Sequence, residues 1–250
     1  MTVTEPLTAA DAAGGEGLVW YLAYGSNTDP DRLACYLGGG QPLGAARSYP
    51  GCRDRAAPRA SVAVEVPGAV YFATESPVWS GGRAFYDPDA RAATDPGVAE
   101  DPGVAEDPRA AEDATAMRGA RVLARAHLIT AAQFSDIAAQ EMYREPGAGP
   151  DLDLTAALRD GRAVLGEGRY ETLVCAGRLD GHPLLTVTAP WSMDAVPWNR
   201  PSAPYVRCLA RGLLAAGAWD APTVAGYLAA CPGAAGHWTA PDILDVLLTG

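Results

Sequence analysis

Apolar residues cluster in seven short stretches along the chain, at 18–24, 61–66, 69–74, 83–86, 121–129, 170–177 and 183–189. Their lengths and their content of branched and aromatic residues predict β-strands. Pro67-Gly68 separates the second from the third and Asp180-Gly181 the last two, so each of these pairs is expected as a hairpin. Helical periodicity replaces this pattern in four places. Leu33, Tyr36 and Leu37 form one apolar face after Pro30, and Phe134, Ile137 and Ala138 another after the capping box of Thr130 and Gln133. Tyr205, Cys208, Leu209 and Leu213 form a third, and a fourth run extends from Pro222 to Ala230, before the stop at Pro232. Together they predict an α+β fold, a mixed and mostly antiparallel sheet or small closed β-barrel with helices flanking it, gathered mainly toward one end. No Rossmann fingerprint is present.

Two places depart from a purely structural pattern. The first strand breaks into Tyr24-Gly25-Ser26-Asn27, with Thr28 or Asp29 placed to cap the helix that follows and Pro30 suited to its first turn. Backbone N–H groups of residues 25 to 27 would then lie beside a helix N-terminus, where a carboxylate or phosphate is readily held. A plain strand-to-helix connection has the same composition. In the second place, the stripe through Phe134, Ile137 and Ala138 extends to Glu141, a carboxylate where the period asks for a core residue, while Gln133, Asp136 and Gln140 supply the polar face. An ionised carboxylate is costly to bury, so such a group has a raised pKa and suits a cleft and proton transfer. The alternative is a glutamate at the helix end, solvated as the stripe drifts outward.

Charge changes the picture less than its total suggests. The net charge is −11, with no lysine in the chain, which excludes Schiff-base chemistry and a Walker lysine and argues against nucleic acid as a partner. Residues 95–106 are Asp-Pro-Gly-Val-Ala-Glu twice over, followed by a degenerate copy at 107–112; Asp95 to Asp113 holds seven acidic residues and one arginine, so over half of the net charge lies there. A segment of this composition buries too little apolar area to offset its ordering entropy. The expected organisation is therefore a disordered tail at 1–17 and a single domain at 18–250 interrupted by an acidic disordered insert at 88–118.

No apolar stretch is long enough to span a membrane and the N-terminus has the wrong sign for a secretory signal, so a cytoplasmic protein without membrane association is expected. Five cysteines, scattered and without a C-x-x-C pair, suit reduced core thiols. His127, His182 and His237 have no metal-ligand spacing, predict no metal site and are expected at the surface or sheet edges. Ser26 lacks the surroundings of a nucleophile elbow and is expected to hydrogen-bond a substrate or brace the turn.

Tyr24-Gly25-Ser26-Asn27 after an apolar strand, Ala139-Gln140-Glu141-Met142 after a strand and short helix, Tyr170 opening a further strand, and Pro201-Ser202-Ala203-Pro204-Tyr205 together resemble the γ-glutamylcyclotransferase family over most of residues 18–230. The resemblance implies a mixed barrel in which residues 24 to 27 hold a γ-glutamyl group, Glu141 moves protons, and Tyr170 and Tyr205 line the pocket. Met142 stands where the family often has glycine, and Trp79-Ser80-Gly81-Gly82 has only loose counterparts. The substrate would be a small-molecule γ-glutamyl amide. Its own α-amino group closes a five-membered lactam, 5-oxoproline, and releases an amine without cofactor, metal or water. Hydrolytic deacylation or acyl transfer on the same fold, a non-catalytic small-molecule binder, and more distantly a metal-dependent deacylase remain the alternatives.

Overall fold

A computed structural model describes residues 17–42, 47–90 and 121–249. Its strands are β1 (Leu18–Ala23), β2 (Ala60–Pro67), β3 (Ala69–Ala73), β4 (Arg83–Asp87), β5 (Arg121–Thr130), β6 (Arg162–Val164), β7 (Thr172–Leu179) and β8 (His182–Thr188). Its helices are α1 (Pro30–Gly38), α2 (Ala131–Glu141), α3 (Thr155–Asp160), α4 (Ala203–Ala215), α5 (Ala221–Ala230) and α6 (Ala240–Leu248). Apart from Gly17 and residues 88–90, the expected tail and acidic insert lie outside the described residues.

Six strands form one mixed sheet in the order β2-β5-β1-β8-β7-β6, and β3 pairs with β4 as a separate ribbon. Strand β1 is antiparallel to β5, with Leu18 opposite Thr130, and parallel to β8, with Trp20 opposite Leu184. Every residue of β1 is buried, as its unbroken apolar run requires of a strand covered on both faces. One face packs Trp20, Leu22, Val64, Val66 and Leu184 against α4, α5 and α6. The other packs Val19, Tyr21, Ile129 and Leu185 against α1, α2 and α3.

The α+β class holds, but the layout differs from the expected one in three respects. Among the described residues the sheet is open, ending at β2 and β6, so no closed barrel forms. Helices cover both of its faces rather than gathering at one end. The expected Pro67-Gly68 hairpin is not made either, because β2 pairs with β5 while β3 turns away to pair with β4. Gly68, at φ +108°, makes that departure possible; a Cβ there would stand 2.4 Å from the Asp87 carbonyl oxygen. The ribbon alternates, with Phe72 and Tyr86 facing the main core and Tyr71 and Phe85 a smaller cluster beside Tyr170 and Trp191. By contrast β7 and β8 do form the hairpin at Asp180-Gly181, both of which have positive φ.

Local capping matches the sequence. The Asp29 carboxylate accepts from the N–H groups of Asp31 and Arg32 at the start of α1, and Thr130 and Gln133 form a complete capping box on α2. Short elements α3 and β6 and the terminal α6 were not foreseen.

Candidate active site

Glu141 lies one helical turn beyond the fully buried Ile137 and Ala138, and so shares their face of α2. Burying Phe134 and Ile137 stabilises this seating by about 1.5–3 kcal/mol each. The face thereby aims the carboxyl at the loop that follows β1, where Asn27 Nδ2 donates to Glu141 Oε1 at 3.3 Å and to the Tyr21 hydroxyl at 3.0 Å. Asn27 is itself buried, and its Oδ1 has no hydrogen-bond partner among the described residues. Burial pushes the Glu141 pKa up; a hydrogen bond from Tyr36 and the positive charges of Arg32, Arg47 and Arg169 pull it back in part.

All seven residues singled out from the sequence meet here. A small inner cleft is lined by Tyr24, Gly25, Ser26, Asn27, Glu141, Tyr170 and Tyr205, with Tyr21, Ala84, Thr186 and Val187 completing it. The Tyr24 hydroxyl donates to the Val187 carbonyl at 2.8 Å, and the Tyr170 hydroxyl to the Ala84 carbonyl at 3.0 Å. Tyr205 accepts from the Ala84 N–H at 3.2 Å and stacks on Trp79 with ring centroids 5.0 Å apart. Burial raises the pKa of all three phenols, which keeps them neutral donors. Tyr170 precedes β7 rather than opening it, at φ +84°. A non-glycine residue in that region carries strain, which this tyrosine holds where its ring lines the cleft.

The glycine loop differs from its expected form. Ser26–Thr28 make a single 3-10 turn, and α1 begins only at Pro30 with its first donors occupied by Asp29. Positive charge at the cleft comes instead from Arg32, whose Nε donates to Ser26 Oγ at 2.7 Å and whose Nη2 donates to the Tyr49 hydroxyl at 2.5 Å. Its guanidinium stands 4.9 Å from the Trp79 ring centroid, 5.3 Å from that of Tyr49 and 5.9 Å from that of Tyr36. Helix α4 backs the same loop, and only glycine fits at the contact: a Cβ on Gly212 would lie 2.3 Å from Thr28 Oγ1.

An adjoining outer cleft shares Ser26, Glu141, Tyr170 and Tyr205 with the inner one and adds Arg32, Arg47, Arg83, Tyr36, Tyr49, Trp79 and Tyr143 among its walls. None of these additional residues was foreseen. Arg32 alone carried a signal, since it stands four residues before Tyr36 on the buried side of α1, a charged residue among core positions just as Glu141 is. Tyr36 lies on the apolar face of the same helix and reads there as a core residue, while Arg47 and Tyr49, Trp79 and Arg83, and Tyr143 come from three further segments with no helical periodicity to mark them.

Two further expectations are corrected. Gln133, Asp136 and Gln140, the polar face of α2, are buried under the segment 49–56 rather than solvated. Gln133 Nε2 donates to the Ala56 carbonyl at 2.9 Å, Asp136 accepts from the Arg53 N–H at 2.8 Å, and Gln140 Oε1 accepts from the Gly51 N–H at 3.3 Å. His127 is a core residue, its Nδ1 2.8 Å from Ser61 Oγ and its pKa lowered to about 3 by burial and then by Arg125. The cysteines are free, as expected, with Cys52, Cys175 and Cys231 buried. Among the described residues no helix is long and apolar enough to cross a membrane, and no group of three His, Cys, Asp or Glu side chains is placed to hold a metal.

No family model matches the chain. It is similar to the protein named histone deacetylase 5 of Arabidopsis thaliana, 29% identical over 213 residues, which cover 80% of this chain and 28% of that protein. The chain thus spans little more than a quarter of the length of that curated relative. Among solved structures it is similar to an uncharacterized human protein, with a TM-score of 0.44 and 14% identity, and to one named gamma-glutamyl cyclotransferase, with a TM-score of 0.42 and 13% identity. In each case 93% of this chain and 99% of the other are covered. At those scores the chemistry has to be read from the cleft itself.

Proposed function

We propose that the chain cyclises a γ-glutamyl amide to 5-oxoproline and releases an amine, with Glu141 as the proton-transfer group. The observation that carries this reading is the partly buried Glu141 carboxyl, 3.3 Å from the Asn27 amide, in the wall common to two clefts. The γ-glutamyl end occupies the inner cleft, with its α-carboxylate against the N–H groups of residues 25 to 27 and its α-ammonium between Glu141 and the unpartnered Asn27 Oδ1. Glu141 takes a proton from the α-ammonium, and the freed nitrogen attacks the γ-carbonyl carbon. As the tetrahedral intermediate collapses, the carbon–nitrogen bond to the leaving amine breaks and Glu141 returns the proton to that nitrogen; the attacking nitrogen gives up its second proton, which the lactam does not keep, and the released amine leaves with it as an ammonium. No water is consumed. A carboxyl with a raised pKa suits both halves of the cycle, because it takes a proton more readily than an ordinary carboxylate and can hand it on to the leaving nitrogen. Folding the substrate back on itself supplies the proximity that makes an amine displace an amide nitrogen.

A second reading draws on the relative named a histone deacetylase. Hydrolysis at the same carboxyl, with Glu141 activating water, also frees an amine. Mass spectrometry of the products decides between them, since cyclisation yields 5-oxoproline and hydrolysis yields glutamate from the same γ-glutamyl amide. Saturable binding of γ-glutamyl compounds without release of any amine would make the protein a binder.

A further inference from the structure

The outer cleft carries more positive charge than a γ-glutamyl head group can use. Across both clefts Arg32, Arg47 and Arg83 face a single lining carboxylate, Glu141, in a chain whose overall charge is strongly negative. None of the three arginines meets an acidic side chain within ion-pair distance among the described residues. Arg32 and Arg83 are more than nine-tenths buried, and each leaves a buried donor, Arg32 Nη1 and Arg83 Nε, without a partner among the described residues. Arg47 completes the set at the rim, where its guanidinium and that of Arg169 each lie 4.3 Å from the Tyr143 ring centroid. Tyr143 has φ +58°, so the backbone is strained where it presents this ring between two cations. Buried guanidinium donors left open are expensive unless an anion fills them. The inner cleft, by contrast, has no arginine in its lining.

We infer that the amine released by this protein carries two acidic groups, which the outer cleft holds through Arg32, Arg47 and Arg83. This rests on the cyclisation reading, in which the γ-glutamyl end, a zwitterion with no net charge, fills the inner cleft and the amine side lies beyond Glu141. Dicarboxylic amino acids and amino acids bearing a carboxylate and a phosphate share the required chemistry. A neutral amine leaves the arginines unpaired, and a polycationic one is repelled by them.

The experiment compares γ-glutamyl derivatives of alaninamide, alanine, aspartate, O-phosphoserine and putrescine as substrates of the full chain. Expected kcat/KM rises by about tenfold with each acidic group, the gain of one charge-assisted hydrogen bond, and is lowest for putrescine. The aspartate and O-phosphoserine derivatives separate the carboxylate source from the phosphate source. Arg83→Gln and, at the more accessible rim, Arg47→Gln should each shrink the ratio between the aspartate and alaninamide derivatives. Equal kcat/KM for the alaninamide and aspartate derivatives would overturn the inference while leaving cyclisation intact. A parallel titration of Glu141→Gln with free aspartate and free alaninamide reads the outer cleft without turnover. Binding of aspartate alone, weakened by salt, supports the acidic-amine inference even if no derivative is cyclised, in which case only the cyclisation reading falls. If aspartate does not bind and no derivative is turned over, both fall.

Discussion

The inner and outer clefts meet at one carboxyl yet are built in opposite ways. Neutral groups line the inner cleft beside Glu141, namely backbone of a glycine loop, an amide and phenols kept protonated by burial. The outer one is lined by guanidiniums and aromatic rings. Burial among neutral groups raises the pKa of the Glu141 carboxyl, whereas a hydrogen bond from Tyr36 and the nearby guanidiniums lower it. On the proposed reading this difference is a division of labour: the inner cleft sets the chemistry and the outer one selects what leaves.

Replacing the group shared by both clefts should have the largest effect. Glu141→Gln is expected to lower kcat by about 10²–10⁴-fold, the range for loss of a general acid–base group, with γ-glutamyl ligands still binding by calorimetry. A variant turning over at the normal rate would end the division of labour. The same substitution tests the electrostatics. Because the folded-state pKa of Glu141 is raised, the neutral form is favoured in the folded protein, and this contribution to stability is full below the unfolded value and lost as pH rises through the folded one. Glu141→Gln should therefore leave Tm higher than that of the parent at pH 8 and close to it at pH 4, as scanning calorimetry can measure. For the parent chain on the proposed reading, log kcat/KM should fall with unit slope as pH drops through that raised pKa.

Next in size is the packing beneath the inner loop. Gly212→Ala puts a methyl group into Thr28 and Asp29 and should destabilise by about 1–3 kcal/mol in urea unfolding, with a rise in KM as the loop shifts. A neutral result would show that α4 does not hold the loop. Arg32→Lys sharpens the contrast from the other side. A lysine keeps the charge but cannot bond Ser26 and Tyr49 together while stacking on Trp79, so KM should rise about tenfold with kcat less affected. Smallest is Thr130→Ala, which removes the cap of the helix that carries Glu141 and should cost about 1 kcal/mol without changing the pH profile. A shifted profile would mean that the cap positions the carboxyl.

Legibility followed contiguity. Tyr24 to Asn27 could be picked out because the loop is one short segment between a strand and a helix, and Glu141 because a helix repeats every 3.6 residues and a charge on the apolar stripe stands out. Arg32 followed the same logic four residues before Tyr36 and was overlooked. Arg47, the pair Trp79 and Arg83, and Tyr143 come from three separate stretches and become neighbours only when the sheet, the ribbon and the helices on both faces assemble.

Local sequence determined every strand but the short β6, the caps of α1 and α2, the Asp180-Gly181 hairpin and the phase that turns Glu141 inward, since each depends on residues a few positions apart. Tertiary structure alone decided that β2 joins β5 instead of β3, that the polar face of α2 is roofed by residues 49–56, and that His127 is buried. It also decided that the charge facing the Glu141 cleft is positive in an acidic chain. Those outcomes depend on which surfaces bury one another and on which buried polar groups then find partners, and spacing along a chain does not encode either.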